Sequence, residues 1–252
     1  MFEEIPETPY GMNKRIRFIY GEIEKRIRNS KDRREIKVLD IGCGTGKFIT
    51  IPLGSLGVTI LGIDTHLPSI EYARKRNPFE NIQFECMPVE ELAGQQFDFI
   101  ICSEVLEHLN EPMDMVKLIK KMLKMDGICI ITIPNRYNPR EIEERVYRAL
   151  CNKGINFLTQ FLRSRNDTLN TESWHVQFFS YKDFRDLLEK CELSIIECEN
   201  RSSFVGFFSN RILSSSKVLT KWSVRIANRL PHSLTSGWMF VIGHNKEETG
   251  SW

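Results

Sequence analysis

The octapeptide SEVLEHLN, Ser103 to Asn110, sets two carboxylates and one imidazole (Glu104, Glu107 and His108) within five residues. Side chains of these types exchange protons near neutral pH or hold divalent cations. If the segment opens a helix, the three stand at i, i+3 and i+4 and share one face. A second polar station lies in TESWHVQFFS, where His175 precedes a helix. Glu104, Glu107, His108 and His175 together offer two carboxylates and two imidazoles, a set that suits Mg²⁺, Mn²⁺ or Zn²⁺. The same groups could act as general acid and base, or could simply begin a helix, where first-turn acids are favoured by the dipole. The residues alone leave all three roles open.

The octapeptide follows FDFIIC (97–102), one of several apolar, β-branched runs. IKVLDIGC (36–43), VTILGID (58–64), IQFEC (82–86) and GICIITIPN (127–135) are the others. Helical patterns lie between them, including LPSIEYARKR and PMDMVKLIKKMLKMDG. The latter puts Met115, Ile119, Met122 and Leu123 on one face and is expected to end at Gly127. Near-continuous apolar strands with helical crossovers imply a parallel sheet covered on both faces, hence an α/β fold. From about residue 136 the rhythm breaks, with a helical piece expected within 140–165. SYKDFRDLLEKC then reads as a helix capped by Ser180, LSIIECE (193–199) as a strand and WMFVIGHN as the last strand. Two insertions, 136–175 and 200–237, would cover an acceptor site, and the N-terminal 1–30 would form a helical cap with Ile16, Tyr20, Ile23 and Ile27 on one face. The whole chain, 1–252, is expected to form one domain.

The first strand ends in LDIGCGTGKF, with Gly42, Gly44 and Gly46 after Asp40. Glycines here permit a tight turn and close approach of a ligand to the main chain. The pyrophosphate fingerprint G-x-G-x-x-G is not met, because Lys47 stands at its third glycine. The loop therefore suits a nucleoside without a diphosphate. Asp64 ends the second strand, where a carboxylate can accept both ribose hydroxyls.

With these residues in place, the chain resembles the class I S-adenosylmethionine-dependent methyltransferases, well over 36–135 and reasonably over SYKDFRDLLEKCELSIIE. The resemblance implies a Rossmann-like three-layer sandwich whose seven-stranded, mostly parallel sheet has the order 3-2-1-4-5-7-6, the last strand antiparallel, with helical insertions after strands five and six. It implies S-adenosylmethionine as methyl donor. Asp40, Gly42, Gly44 and Gly46 would frame its methionine end, Asp64 its ribose, and Ser103 and Glu104 would border the methionine portion. Many relatives carry an acid after strand three for the adenine amino group; here Pro88 stands there, leaving backbone groups and Met87 to hold adenine. The E-x-x-E-H pattern is similar to small-RNA 2′-O-methyltransferases, which add a distant His for a metal, and to ubiquinone-biosynthesis O-methyltransferases, which carry an N-R-N like NRYN (135–138). Glu107, His108 and His175 would then serve catalysis, and a divalent metal is the less favoured option.

Composition narrows the setting. Of 252 residues, 41% are hydrophobic and 27% charged, as in ordinary soluble domains. No apolar run spans a bilayer, and no secretory signal is expected at the first residues. Seven cysteines form no C-x-x-C pair; Cys43, Cys86, Cys102 and Cys129 read as small buried hydrophobes in a reducing cytoplasm. Residues 200–246 hold no Asp or Glu and seven Lys or Arg. Lys217, Lys221, Arg225 and Arg229 form one stripe and Val218, Leu219, Trp222, Ile226 and Leu230 another. Such a helix either packs its apolar stripe on the domain or meets an anionic membrane surface through 209–230, and the aromatics Phe204, Phe207 and Phe208 nearby would line a pocket for an apolar acceptor.

The expected activity is methyl transfer to a small or lipid-like acceptor, at oxygen, by a cytoplasmic enzyme, with contact to a membrane surface through 209–230 as one of the two readings of the late helix. The alternatives are a metal-dependent RNA 2′-O-methyltransferase, which would need basic residues around the cleft mouth, and a non-catalytic binding module. Nucleic acid is not the expected partner, since the cations collect on one late helix. Gly44→Arg or Asp64→Ala separates enzyme from module, because a module's cellular role would survive loss of the cofactor. Acceptor identity and oligomeric state are not written in the sequence, since acceptor contacts come from variable insertions.

Overall fold

The computed structural model describes Thr8 and residues 11–137, 175–203 and 217–245. The helical piece expected within 140–165, Phe204, Phe207, Phe208 and residues 209–216 lie outside these. Seven strands form one sheet of order β3-β2-β1-β4-β5-β7-β6. They are β1 (Lys37–Ile41), β2 (Thr59–Asp64), β3 (Ile82–Cys86), β4 (Phe97–Ser103), β5 (Leu123–Pro134), β6 (Leu193–Asn200) and β7 (Gly237–His244). The pairs from β3 through to β5 are parallel, and β7 runs antiparallel to both β5 and β6. The order and the antiparallel last strand agree with the expected topology.

The strands are apolar on both sides because helices cover both faces. On one face, Leu39, Ile100, Ile131 and Phe240 pack with Val116, Ile119 and Met122 of α4 (Pro112–Met122) and Phe184, Leu187 and Leu188 of α5 (Tyr181–Lys190). On the other, Val38, Ile60, Ile101 and Val241 pack with Ile19, Ile23 and Ile27 of α1 (Met12–Ile27), Leu53 of α2 (Thr50–Leu53), and Ile70 and Ala73 of α3 (Leu67–Arg76). The N-terminal helix is thus part of a covering layer, held by its apolar stripe. Ser180 caps α5 as expected: its hydroxyl accepts from Asp183 N, and the Asp183 carboxylate accepts from Ser180 N.

Two local expectations are corrected. The helix begun at Pro112 stops at Met122 rather than Gly127; Leu123 is already extended and pairs with Phe97, so the sheet captures the helix's last turn. Cys86 is exposed and Cys43 half-buried, whereas Cys102 and Cys129 are buried as expected. Cys86 is the last residue of a sheet-edge strand, where one side chain in two faces solvent. The apolar stripe of helix α6 (Lys217–Ile226) is divided: Val218, Leu219 and Trp222 are exposed, while Ile226 and Leu230 are half-buried.

Candidate active site

The residues expected on the cofactor side gather at the carboxyl ends of β1, β2 and β4, the edge where open α/β sheets bind ligands. Gly42, Gly44 and Gly46 all adopt left-handed φ, at 69°, 53° and 66°. A Cβ on Gly46 would come within 2.5 Å of the Phe84 ring, so the loop is packed from below. A Cβ on Gly44 would meet nothing within 4 Å, so this glycine faces open space above the loop. Its amide donates to Asp64 Oδ2 at 2.8 Å, and His66 N donates to Oδ1 at 2.8 Å. The Asp64 carboxylate is therefore fixed against the loop with lone pairs left for a diol. Met87 follows β3, half-buried, with its amide on Asp64 O at 3.2 Å.

Asp40 sits behind the loop rather than in it. It is 1% exposed, and Thr50 Oγ1 donates to its Oδ2 at 2.6 Å. Burial pushes its carboxyl up to about 7, against the pull of the Thr50 bond and with help from the Asp64 charge. An acid raised in the folded state stabilises the fold below its unfolded value and loses that contribution as pH rises through the folded value. Asp40→Asn is therefore expected to gain on wild type by a few kcal/mol between about pH 4 and pH 7. Urea midpoints across that range check this; a constant difference would refute it.

The octapeptide does not open a helix. Glu104 takes left-handed φ at 58°, and the next ordered piece is a single 3₁₀ turn, Leu106–His108. This reversal parts Glu104 from Glu107 and His108. Arg201 Nη1 donates to both Glu104 oxygens, at 3.0 and 2.8 Å, Arg15 Nη1 lies 3.3 Å away, and Thr132 Oγ1 donates at 3.0 Å. Burial would raise the Glu104 carboxyl, but the charges of Arg201 and Arg15 outweigh it and hold the group below the usual range. Ser103 Oγ bonds Thr132 Oγ1 at 2.9 Å. Arg15 and Arg201 are the residues that sequence reasoning missed. Arg15 sits between apolar positions on α1 and Arg201 follows the end of β6, and no spacing rule links either to Glu104. Their pairing leaves one positive charge in excess, and Arg15 Nε is buried without a partner.

Glu107, His108 and His175 do come together. The Glu107 carbonyl accepts from Val176 N at 2.6 Å and from Gln177 N at 2.9 Å, which ties the 175–177 segment to the turn. The His108 and His175 rings lie 4.9 Å apart, centre to centre, at 68°. One ligand atom from each of the three residues falls within 4.8 Å of the others, and Glu104 is not in the group. Glu107 is fully buried and neither carboxylate oxygen has a hydrogen bond. Burial, then the Glu104 charge, pushes its carboxyl upward. The other histidines have structural partners: His66 with Ser69, His232 with Asn200, His244 with the Leu123 carbonyl. Asn135 of the NRYN stretch is fully buried and donates to Thr235 O, while Asn138 lies outside the described residues.

A 3-2-1-4-5-7-6 sheet with this glycine loop and an acid ending β2 defines the class I methyltransferase fold. A magnesium protoporphyrin IX methyltransferase from Synechocystis PCC 6803 with bound SAH superposes with a TM-score of 0.54 at 16% identity, over 92% of this chain and 86% of that one. Residues 13–197 match the family model described as a methyltransferase domain, and the chain belongs to that family. Within it, the chain is similar to the ubiquinone biosynthesis O-methyltransferase of Pelagibacter ubique (strain HTCC1062), 31% identical over 72% of each protein. The enzyme of the same description from Dinoroseobacter shibae (strain DSM 16493 / NCIMB 14021 / DFL 12) is 27% identical over 75% of this chain and 73% of that one.

Proposed function

We propose that this methyltransferase moves the methyl group of S-adenosylmethionine to an oxygen of a small, lipid-like acceptor such as a quinone precursor. The observation that carries the donor is the open face of Gly44 beside the fixed Asp64 carboxylate. Asp64 takes the ribose diol, Gly42, Gly44 and Gly46 line the methionine end with Asp40 bracing them from behind, Met87 meets adenine, and Ser103 and Glu104 border the methionine portion. Arg15, with its buried Nε and the surplus charge of its cluster, is the donor for the cofactor carboxylate. The acceptor class rests on similarity to the ubiquinone enzymes.

In the transfer, an acceptor oxygen attacks the methyl carbon in line as the carbon–sulfur bond breaks, leaving S-adenosylhomocysteine. The hydroxyl proton must go to a base. His108 and His175 are placed for that task, with Glu107 behind them. A second option stands on one observation: the bare Glu107 carboxylate beside two imidazoles fits a divalent cation, Mn²⁺ or Zn²⁺ better than Mg²⁺. A bound cation would acidify the acceptor hydroxyl. Metal analysis of the purified protein, with activity before and after chelation, decides between them. The insertions 136–175 and 200–237 would enclose the acceptor.

S-adenosylhomocysteine at about a hundredfold its Kd is expected to add about 2.7 kcal/mol, raising Tm by roughly 5–11 °C. Asp64→Ala should abolish the shift. No shift in wild type would count against the assignment. The buried free thiols Cys102 and Cys129 favour a cytoplasmic setting. No helix among the described residues is long and apolar enough to cross a membrane.

A further inference from the structure

Helix α6 is built inside out. At 3.6 residues per turn, Thr220, Ser223, Val224 and Ala227 fall within roughly 100° of arc, and all four are buried. This stripe is small and half of it bears hydroxyls, and it is anchored by hydrogen bonds. Ser223 Oγ meets Ser203 Oγ at 2.7 Å, and Asn200 Nδ2 donates to Ala227 O at 2.9 Å. The opposite arc carries the large apolar residues, with Val218 76% exposed, Trp222 59% and Leu219 39%. Lys221 and Arg225 flank them, and Arg229 continues the row on the following turn; all three are exposed. An ordinary surface helix turns its apolar stripe inward and its charges outward. Here hydroxyl-bearing residues face the protein while Trp, Val and Leu face out among cations.

We infer that this face docks on an anionic lipid bilayer. Three features select that occupant. Apolar side chains including Trp beside Lys and Arg are the make-up of helices that lie in the membrane interface. Residues 200–246 contain no Asp or Glu, so nothing on this segment opposes anionic headgroups. The helix also stands at the site's edge of the sheet. It is tied to Asn200 at the end of β6 and leads to Gly237 at the start of β7, and Gly237 pairs with Pro134 at the end of β5. Docking through α6 therefore turns the carboxyl ends of the strands toward the bilayer, from which a lipid-like acceptor would enter. That purpose rests on the acceptor proposed above; the docking itself does not.

Cosedimentation with vesicles tests it, using phosphatidylcholine with and without phosphatidylglycerol. The intact protein should pellet with the anionic vesicles, weakly with the neutral ones, and less as salt rises. Trp222→Ser should release it. Lys221→Gln with Arg225→Gln should lower the partition coefficient about 25-fold, roughly fivefold for each charge. All of these sites are exposed, and an unchanged S-adenosylhomocysteine thermal shift in the variants shows that fold and cofactor site are intact. Equal binding to neutral vesicles, or binding that the variants do not weaken, overturns the inference. So does a dimer in sedimentation that Trp222→Ser dissociates, since a second copy would then occupy the face. Vesicle binding without methylation of any phenolic lipid would leave the docking standing and sink the acceptor instead.

Discussion

Glu104→Ala is expected to lower stability by about 3 kcal/mol, the lower end for breaking a buried ion pair. The lower end applies because the Glu104 side chain is itself 26% exposed. The cost comes from what is left behind: the Arg201 and Arg15 side chains, 7% and 14% exposed, would face each other with no anion between them. At 2–4 °C per kcal/mol for a chain of this size, Tm should fall by roughly 6–12 °C. Glu104→Gly offers an internal control. It loses the same carboxylate but relieves the left-handed backbone at φ 58°, so it should be about 1 kcal/mol less destabilised than the alanine variant. The pH dependence has a definite sign. The carboxyl is held below its ordinary value of 4.5 in the folded state, so its contribution is full above that value and declines as pH falls below it. The gap between wild type and Glu104→Gln should therefore shrink in acid. Equal melting of wild type and Glu104→Ala at neutral pH would show that the pair contributes nothing.

His108→Ala is expected to lower kcat about 10²–10⁴-fold, the range for removing a positioned general base. The imidazole meets His175 in a T-shaped contact beside the bare Glu107 carboxylate, and it has no part in holding Asp64 or the glycine loop. The S-adenosylhomocysteine thermal shift should therefore survive while turnover is lost. A residue that only braces the turn would lower stability and leave kcat of the surviving enzyme near wild type. His175→Ala should lie in the same direction, and the double variant should fall short of the summed single effects if the two act together. Full turnover in His108→Ala would move catalysis elsewhere in the cleft.

Neither Arg15 nor Arg201 could be assigned to the site from the chain alone: Arg15 lies on a legible helix, and Arg201 falls in the stretch 200–237 that reads only as an insertion. Arg15 belongs to a helix whose Ile16, Ile23 and Ile27 signal an amphipathic face, yet that periodicity is silent about the cation beside it. Arg201 lies 97 residues from Glu104 along the chain, and only the pairing of β6 with β7 and β7 with β5 brings its guanidinium there. The octapeptide shows a local expectation overridden by distant partners. A helix at Glu104 would have aligned three ligands, but the backbone turns left-handed there, with its amide on the Thr132 carbonyl and its carboxylate on Arg201. A single reversed φ sends Glu104 to Arg15 and Arg201 and leaves Glu107 and His108 with His175.

The sequence by itself determined the layered α/β fold, the strand order by resemblance, and the glycine loop and Asp64 as the candidates for the cofactor. Those follow from apolar periodicity, glycine at fixed offsets and an acid at a strand end, all of which act over a few neighbouring residues. Tertiary structure alone decided which carboxylate joins the histidines, which arginines neutralise the other, and which face of α6 is exposed. Those depend on contacts between segments tens of residues apart. For α6, the buried side combines the small apolar Val224 and Ala227 with Ser223, which bonds Ser203, and Asn200 ties the turn that follows, while Trp222 stays outside.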